Sequence, residues 1–173
     1  ITGLARQEYR GYDSAGLAVF GENNSSIHVH KRLGKGAELQ SAISESPLGG
    51  STGIAHTRWA THGIPAEKNA HPHHSNNEVY VVHNGIIENH QEIRTTLKAL
   101  GYSFESDTDT EVIGHLIHAK LETATTLVEA LRAAVKDLRG AYAIGAVHSK
   151  EPSIIAAARK GSPLVVAHGS GED

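Results

Sequence analysis

The sequence contains no cysteine and no methionine among its 173 residues. Disulfides, thiolate metal sites and a cysteine nucleophile are therefore excluded within these residues, and the lack of disulfides fits a cytoplasmic protein. No apolar run approaches the roughly 20 residues that span a bilayer, so no membrane association is expected. The 18 glycines and 5 prolines are too few for a collagen-like or linker-dominated chain.

Neither sign of charge dominates the sequence. The formal net charge is −3, and acidic and basic residues are interspersed. A broad basic surface for nucleic acid is therefore not expected. The length and the 39% of hydrophobic residues predict one globular domain with a substantial core.

Each end of the sequence is predicted to cut through a secondary-structure element or the loop after one. Ile1, Leu4 and Ala5 fall at helical spacing, and no capping residue stands ahead of them. At the other end, a predicted strand over 163–167 runs into a loop-like segment. We therefore expect a domain truncated at both ends, which belongs to a longer polypeptide.

The order of predicted elements places hairpins at both ends and helices in the middle. This order favours an α+β fold of mainly antiparallel sheets with helices on their faces over a doubly wound parallel sheet. The apolar runs at 52–57 and 79–83 predict strands covered on both faces, as in two stacked sheets between helical layers. The predicted strands cover 14–20, 26–31, 52–57, 79–83, 141–148, 153–158 and 163–167, with a helix at 37–43 and a long loop at 60–77.

Three further helices are predicted from start signals, each an Asn or Thr followed three residues later by Glu. Gly101 is expected to end the first of them. The three pairs are Asn89 with Glu92, Thr108 with Glu111, and Thr126 with Glu129.

Two segments in the first half of the chain concentrate polar and aromatic residues. The first, EYRGYDSAG over 8–16, lies between a helix and a strand, and a plain helix end with a turn remains an equal alternative. The second, HTRWATH over 56–62, runs off the end of a predicted strand. An arginine at a strand end, here Arg58, can bind a carboxylate through two parallel hydrogen bonds.

A third segment, HNGIIEN over 83–89, places Asn84 and Gly85 directly after a predicted buried strand. Such a pair can form a hairpin turn, but a helix follows here rather than a partner strand. Alternatively, the Asn84 amide and the Gly85 N–H point together into a cleft, where two neutral donors stabilise an oxyanion. Asp107 and Asp109 are either helix-capping acids or functional carboxylates.

Thirteen histidines are many for this length. The sequence has no HExxH-like element and no cysteine ligand, so packing and loop roles are the default and no metal is expected. A histidine-rich metallohydrolase stays open as an alternative. Its candidate ligands are His62 with His71, His73 and His74, or His115 with His118.

Five segments in one order carry a family resemblance: EYRGYDSAG, HTRWATHG, NAHPH, VVHNGIIEN and SDTDTEV. From about Leu4 to Pro163 the chain resembles the glutaminase domains of the glutamine–fructose-6-phosphate amidotransferases. The resemblance implies an N-terminal nucleophile hydrolase fold, which is a four-layer αββα sandwich whose N-terminal strand is missing here. It also implies that residues 1–173 are the glutaminase domain and that a C-terminal sugar isomerase domain is absent from the chain.

The resemblance further implies a role for individual residues, without any metal or organic cofactor. Free glutamine is a zwitterion, so one cation and one anion would hold its two charged groups. In the implied assignment Arg58 binds the α-carboxylate, Asp109 pairs with the α-ammonium group, Thr61 and His62 line the pocket, Asn84 and the Gly85 N–H form the oxyanion hole, Trp59 lies at the ammonia exit, and Arg10 shapes the site near the nucleophile.

The implied reaction converts glutamine to glutamate and ammonia. In the full-length family enzymes, expected to be homo-oligomers, an isomerase domain uses this ammonia to convert fructose 6-phosphate to glucosamine 6-phosphate. The family nucleophile is an N-terminal cysteine, so this cysteine-free chain alone is predicted to be inactive. Two alternatives remain: a glutaminase that serves amidophosphoribosyl transfer, and a noncatalytic glutamine-binding module.

Overall fold

Three strands in the first third of the chain form an antiparallel sheet. The computed structural model describes residues 2–5, 12–22, 26–34, 36–45, 49–59 and 63–169. The central strand β1 (Ser14–Phe20) pairs with β2 (Ile27–Leu33) on one side and β3 (Gly53–Arg58) on the other. β1 is almost entirely buried, and its first residue lies opposite Arg58.

A second antiparallel sheet has four strands in the order β4-β5-β6-β7. The long strands β5 (Val79–Ile87) and β6 (Gly140–His148) form its centre and pair along their whole length. The short strands β4 (His73–Ser75) and β7 (Ala156–Lys160) flank them.

The helices lie on the outer faces of the two sheets. The described helices are α1 (Thr2–Ala5), α2 (Gly36–Glu45), α3 (His90–Ala99), α4 (Glu111–Lys120) and α5 (Leu127–Ala134), with a 3-10 helix at Glu67–Asn69. On the first sheet, Leu39 of α2 packs against Ala15 and Leu17 of β1. On the second sheet, α3, α4 and α5 bury the largest apolar cluster, which includes Ile113, Ile117 and Leu131.

The inner faces of the two sheets pack against each other. Phe20 and Ile54 of the first sheet meet Tyr80 and Val147 of the second in one buried cluster. The layers therefore run from α2 through two sheets to α4 and α5, which confirms the predicted α+β sandwich of antiparallel sheets.

Several predicted boundaries are corrected by the structure. The loop at 60–77 contains the 3-10 helix and β4, and the strand predicted over 153–158 begins only at Ala156. The strand predicted over 163–167 is wrong, because this segment has no sheet partner in the described chain and leaves Val165 87% exposed. The prediction that 52–57 is covered on both faces is also wrong, since Ala55 of β3 is exposed.

The helix start signals have mixed outcomes. Thr126 caps α5 as predicted, because its hydroxyl oxygen accepts from the Glu129 N–H at 3.2 Å. Asn89 occupies the cap position of α3, but its carboxamide binds the backbone of Asp137 and Arg139 instead. The Thr108–Glu111 pair is wrong as a capping box, since α4 begins only at Glu111.

Among the described residues, no helix combines the length and the apolar character that crossing a membrane requires.

Candidate functional site

Asn84 and Gly85 lie inside β5 rather than after it. The strand continues to Ile87, so both the predicted strand end and the hairpin-turn alternative are wrong. Gly85 has φ +128°, and a Cβ at this position would collide with the carbonyl oxygen of Ala141 on β6. Only glycine fits this conformation, which takes the backbone of β5 out of regular strand geometry.

One side-chain hydrogen bond joins the two sheets at Asn84. Nε2 of His56 on β3 lies 3.0 Å from Oδ1 of Asn84 on β5. The Asn84 residue itself is exposed, so this bond lies at the edge of an open surface. The contact brings the HTRWATH and HNGIIEN segments together, as expected for parts of one site.

Arg58 ends β3 two residues after His56, and it is 3% exposed. Its Nη1 donates to Oδ1 of Asp13 at 2.9 Å, and its Nη2 donates to the carbonyl oxygen of Gly63 at 3.1 Å. Asp13 immediately precedes β1, next to the residue that pairs with Arg58. The guanidinium is therefore oriented by Asp13, which directly precedes the neighbouring strand β1. The sequence did not predict this partner.

Asp109 is also 3% exposed, and it lies two residues before α4. Its Oδ2 accepts a hydrogen bond from the backbone N–H of Ile87 at 2.8 Å. The next residue, Thr110, contacts both Nδ1 of His83 at 3.0 Å and Nε2 of His71 at 3.3 Å. The SDTDTE segment is thus bound along β5, close to Asn84.

Buried histidines fill the space between β3, β5 and this segment. The His56 and His71 rings stack with centroids 4.1 Å apart, and Nε2 of His73 lies 3.1 Å from Oγ1 of Thr108. Burial is the main cause that lowers the pKa of His71 and His73 well below 6.5. Both rings are therefore neutral near pH 7 and act as hydrogen-bonding groups rather than as cations.

The segment before α4 is held by Glu111. The backbone N–H groups of Glu105 and Ser106 donate to its two carboxylate oxygens at 2.8 Å each, and the Ser106 hydroxyl donates at 2.7 Å. Burial raises the pKa of Glu111, but these bonds and the nearby His115 outweigh it and lower the pKa to about 2. A charged carboxylate thereby fixes the loop that carries Asp109.

The other predicted site residues are either exposed or lie outside the described residues. Trp59 follows β3 and is 70% exposed. Asp107 forms an exposed ion pair with Lys68 at 2.8 Å and lies apart from the buried Asp109. Arg10, Thr61 and His62 fall outside the described residues.

The histidines proposed as metal ligands bind different partners. Nδ1 of His115 lies 2.8 Å from the Ser75 hydroxyl, and Nδ1 of His118 lies 2.8 Å from the Tyr102 hydroxyl. Within the ranges that the structure describes, no three His, Asp or Glu side chains are grouped as a metal site would require.

Sequence reasoning missed four residues of this site: Asp13, His56, His83 and Thr110. All four lie within the quoted motifs or next to a predicted residue. The bond from His56 joins residues 28 apart, and that from Arg58 joins residues 45 apart. Such partners depend on sheet packing, which a local pattern does not contain.

The chain is similar to known proteins over most of its length. A family model described as a glutamine amidotransferase domain matches residues 56–172. Curated glutamine–fructose-6-phosphate aminotransferases (isomerizing) are 58% identical in Pseudomonas putida and 55% identical in Haemophilus influenzae, over all 173 residues. The chain spans 28% of the length of each of these relatives.

Two solved structures share the fold. One is the glutamine phosphoribosylpyrophosphate amidotransferase of B. subtilis in complex with ADP and GMP, at a TM-score of 0.71 and 28% identity. The other is described as the allosteric regulatory enzyme of purine biosynthesis, at a TM-score of 0.72 and 29% identity. Each alignment covers 85% of this chain, and 31% and 32% of the two solved chains respectively.

Proposed function

Since the chain belongs to the glutamine amidotransferase domain family, we propose that it is the glutaminase part of a glutamine–fructose-6-phosphate aminotransferase. The observation that carries this proposal is the convergence of three distant segments around the His56–Asn84 contact. Arg58 lies two residues beyond this contact on β3, and Asp109 is bound to β5 three residues beyond Asn84. A cation, an anion and a neutral amide donor are thus supplied by one region.

Recognition of glutamine uses the opposite charges of its α-groups. Arg58 binds the α-carboxylate of glutamine, and its bonds to Asp13 and Gly63 hold the guanidinium in place. Asp109 pairs with the α-ammonium group. Thr61 and His62 line the same pocket. The side-chain amide of glutamine then extends towards Asn84, and this positioning lowers the barrier to reaction.

The chemical step needs a nucleophile from outside these cysteine-free residues. We assign it to an N-terminal cysteine, whose thiolate attacks the carboxamide carbon of glutamine. Nδ2 of Asn84 and the N–H of Gly85 donate to the oxygen of the tetrahedral intermediate. The α-amine of this cysteine takes the thiol proton and gives it to the departing nitrogen, so that ammonia leaves. Water then hydrolyses the resulting glutamyl thioester to glutamate. Arg10 shapes the site near the nucleophile.

The released ammonia is passed to a second domain. The relatives are more than three times as long as this chain, which leaves room for a C-terminal isomerase domain that binds fructose 6-phosphate. We assign Trp59 to the point where ammonia leaves, and its large exposure directly after β3 supports this assignment. The complete enzyme is proposed to be a cytoplasmic homo-oligomer.

The amidophosphoribosyltransferase alternative has weaker support. The solved phosphoribosylpyrophosphate amidotransferase is 28% identical, whereas the aminotransferase relatives reach 58%. A noncatalytic glutamine-binding module would bind glutamine without releasing ammonia even after a nucleophile is supplied.

The test measures glutamate release from glutamine by a polypeptide that carries an N-terminal cysteine upstream of these residues. Asn84→Ala should lower kcat by roughly 100- to 1000-fold, because one oxyanion donor is lost. Thr95→Ala, on the exposed face of α3, is the matched control and should leave kcat unchanged. A loss below about tenfold for Asn84→Ala would remove this residue from the oxyanion hole.

A further inference from the structure

The bond between His56 and Asn84 determines the orientation of the Asn84 carboxamide, with Oδ1 towards His56. A carbonyl oxygen only accepts hydrogen bonds, so Nε2 of His56 carries the proton and donates to Oδ1 at 3.0 Å. The NH₂ group of Asn84 is then directed away from His56. We propose that His56 is a positioning residue, which orients the Asn84 carboxamide so that its NH₂ group faces the oxyanion. This inference rests on the proposed function.

The state of the His56 ring agrees with this assignment. Nδ1 of His56 is buried and has no hydrogen-bond partner in the described part of the chain, as expected for the unprotonated nitrogen of a neutral ring. Burial is the largest cause that lowers its pKa to about 4, and it outweighs the hydrogen bonds to Asn84 and to the His83 backbone, which raise the pKa. The ring is therefore neutral with a single N–H, and that N–H is used on Asn84.

His56 is itself held in place by the buried residues beneath it. Its ring stacks on His71 with 16° between the ring planes. Nδ1 of His71 accepts from the His83 backbone N–H at 3.3 Å, and its Nε2 lies 3.3 Å from the Thr110 hydroxyl. His56 is thus supported through His71 by Thr110, which directly follows the proposed ammonium-binding residue Asp109.

Asn84 needs such support because it is exposed. The terminal torsion of an asparagine has two broad orientations that exchange the oxygen and the nitrogen. In the wrong orientation, a carbonyl oxygen would face the developing negative charge and repel it. Fixing the donor beforehand is the requirement for an effective oxyanion hole.

The variants that test this are His56→Leu and His56→Gln, in the polypeptide with an N-terminal cysteine. Leucine cannot donate, so kcat should fall roughly 3- to 30-fold, the scale of one lost hydrogen bond, while the KM for glutamine changes less than about twofold. A glutamine side chain can present an N–H near the position of Nε2, so His56→Gln should recover most of kcat. Equal losses in both variants would overturn the proposal.

A double-variant comparison separates this inference from the proposed function. With Asn84→Ala already present, His56→Leu should cause no further loss of kcat, because the group that it positions is gone. An undiminished effect of His56→Leu in that background would refute the positioning role and leave the glutaminase intact. Full activity of Asn84→Ala alone would instead contradict the proposed oxyanion hole.

A measurement on the unsubstituted protein does not depend on whether the variants fold. Long-range ¹H–¹⁵N spectra report which nitrogen of His56 carries the proton. Protonated Nε2 with bare Nδ1 is the expected result. Protonated Nδ1 with bare Nε2 would overturn the proposal, since Nε2 could not then donate to Asn84.

Discussion

At the scale of single residues, the sequence predicts the charged groups of the proposed site but not the partners that orient them. Arg58 stands out because an arginine at a strand end suits a carboxylate. Its partner Asp13 lies in EYRGYDSAG, a segment whose sequence fits a plain helix end with a turn equally well. Only the pairing of β1 with β3 places Asp13 beside the guanidinium.

This partnership gives a prediction that separates binding from structural support. Arg58→Ala should raise the KM for glutamine roughly 10- to 100-fold, because a charge-assisted bond to the substrate carboxylate is lost. Asp13→Asn is the control. It keeps an oxygen that can accept from Nη1, so the KM should rise less than about fivefold.

Steady-state glutaminase kinetics measure both variants, and thermal melting confirms that each is folded. If Asp13→Asn raises the KM as much as Arg58→Ala does, Arg58 acts only through its buried ion pair and does not bind substrate.

At the scale of elements, helix and strand patterns predict most of the segments, and two of the errors lie beside the proposed site. The sequence predicts Thr108 and Glu111 as a capping pair, yet Glu111 turns back to bind the backbone of Glu105 and Ser106. Likewise, β5 continues through Gly85, because a glycine can adopt the positive φ that its pairing with β6 requires. Local propensity cannot show either feature.

The Glu111 network predicts a pH-dependent contribution to stability. The folded-state pKa near 2 lies below the unfolded value of about 4.5, so the charged form stabilises the fold above pH 4.5. This contribution is lost as the pH falls from 4.5 towards 2. Glu111→Gln should therefore lower the free energy of unfolding by roughly 2–3 kcal/mol at pH 7.

Urea denaturation of both proteins at pH 7 and pH 3 measures this difference. Gln91→Glu, an exposed change on α3, is the control for an altered charge and should have little effect. The difference in free energy of unfolding between Glu111→Gln and the unsubstituted protein should be smaller at pH 3 than at pH 7. If it is equally large at both, the carboxylate charge is not the cause.

At the scale of the whole molecule, alternation and element order correctly predict two antiparallel sheets between helical layers. They do not predict how the sheets meet, since that depends on which apolar faces are joined. Phe20, Ile54, Tyr80 and Val147 make this junction, and it sets β3 against β5. The site depends on this arrangement, because its residues come from three segments far apart in the chain.

The central claim is that these segments hold a free amino acid by both of its charged groups. Calorimetry can compare L-glutamine with 4-carbamoylbutanoate, which lacks the α-ammonium group. The protein is the N-terminally extended polypeptide with its nucleophile replaced by alanine, and the variant is Asp109→Asn. This substitution removes the charge but keeps an oxygen that can accept from the Ile87 N–H.

We predict that the protein with Asp109 intact binds glutamine at least about tenfold more tightly than the analogue. The Asp109→Asn variant should bind the two ligands almost equally, because the group that recognises the ammonium is gone. If the variant still prefers glutamine as strongly as the protein with Asp109 does, the ammonium is bound elsewhere and the account of this site is wrong.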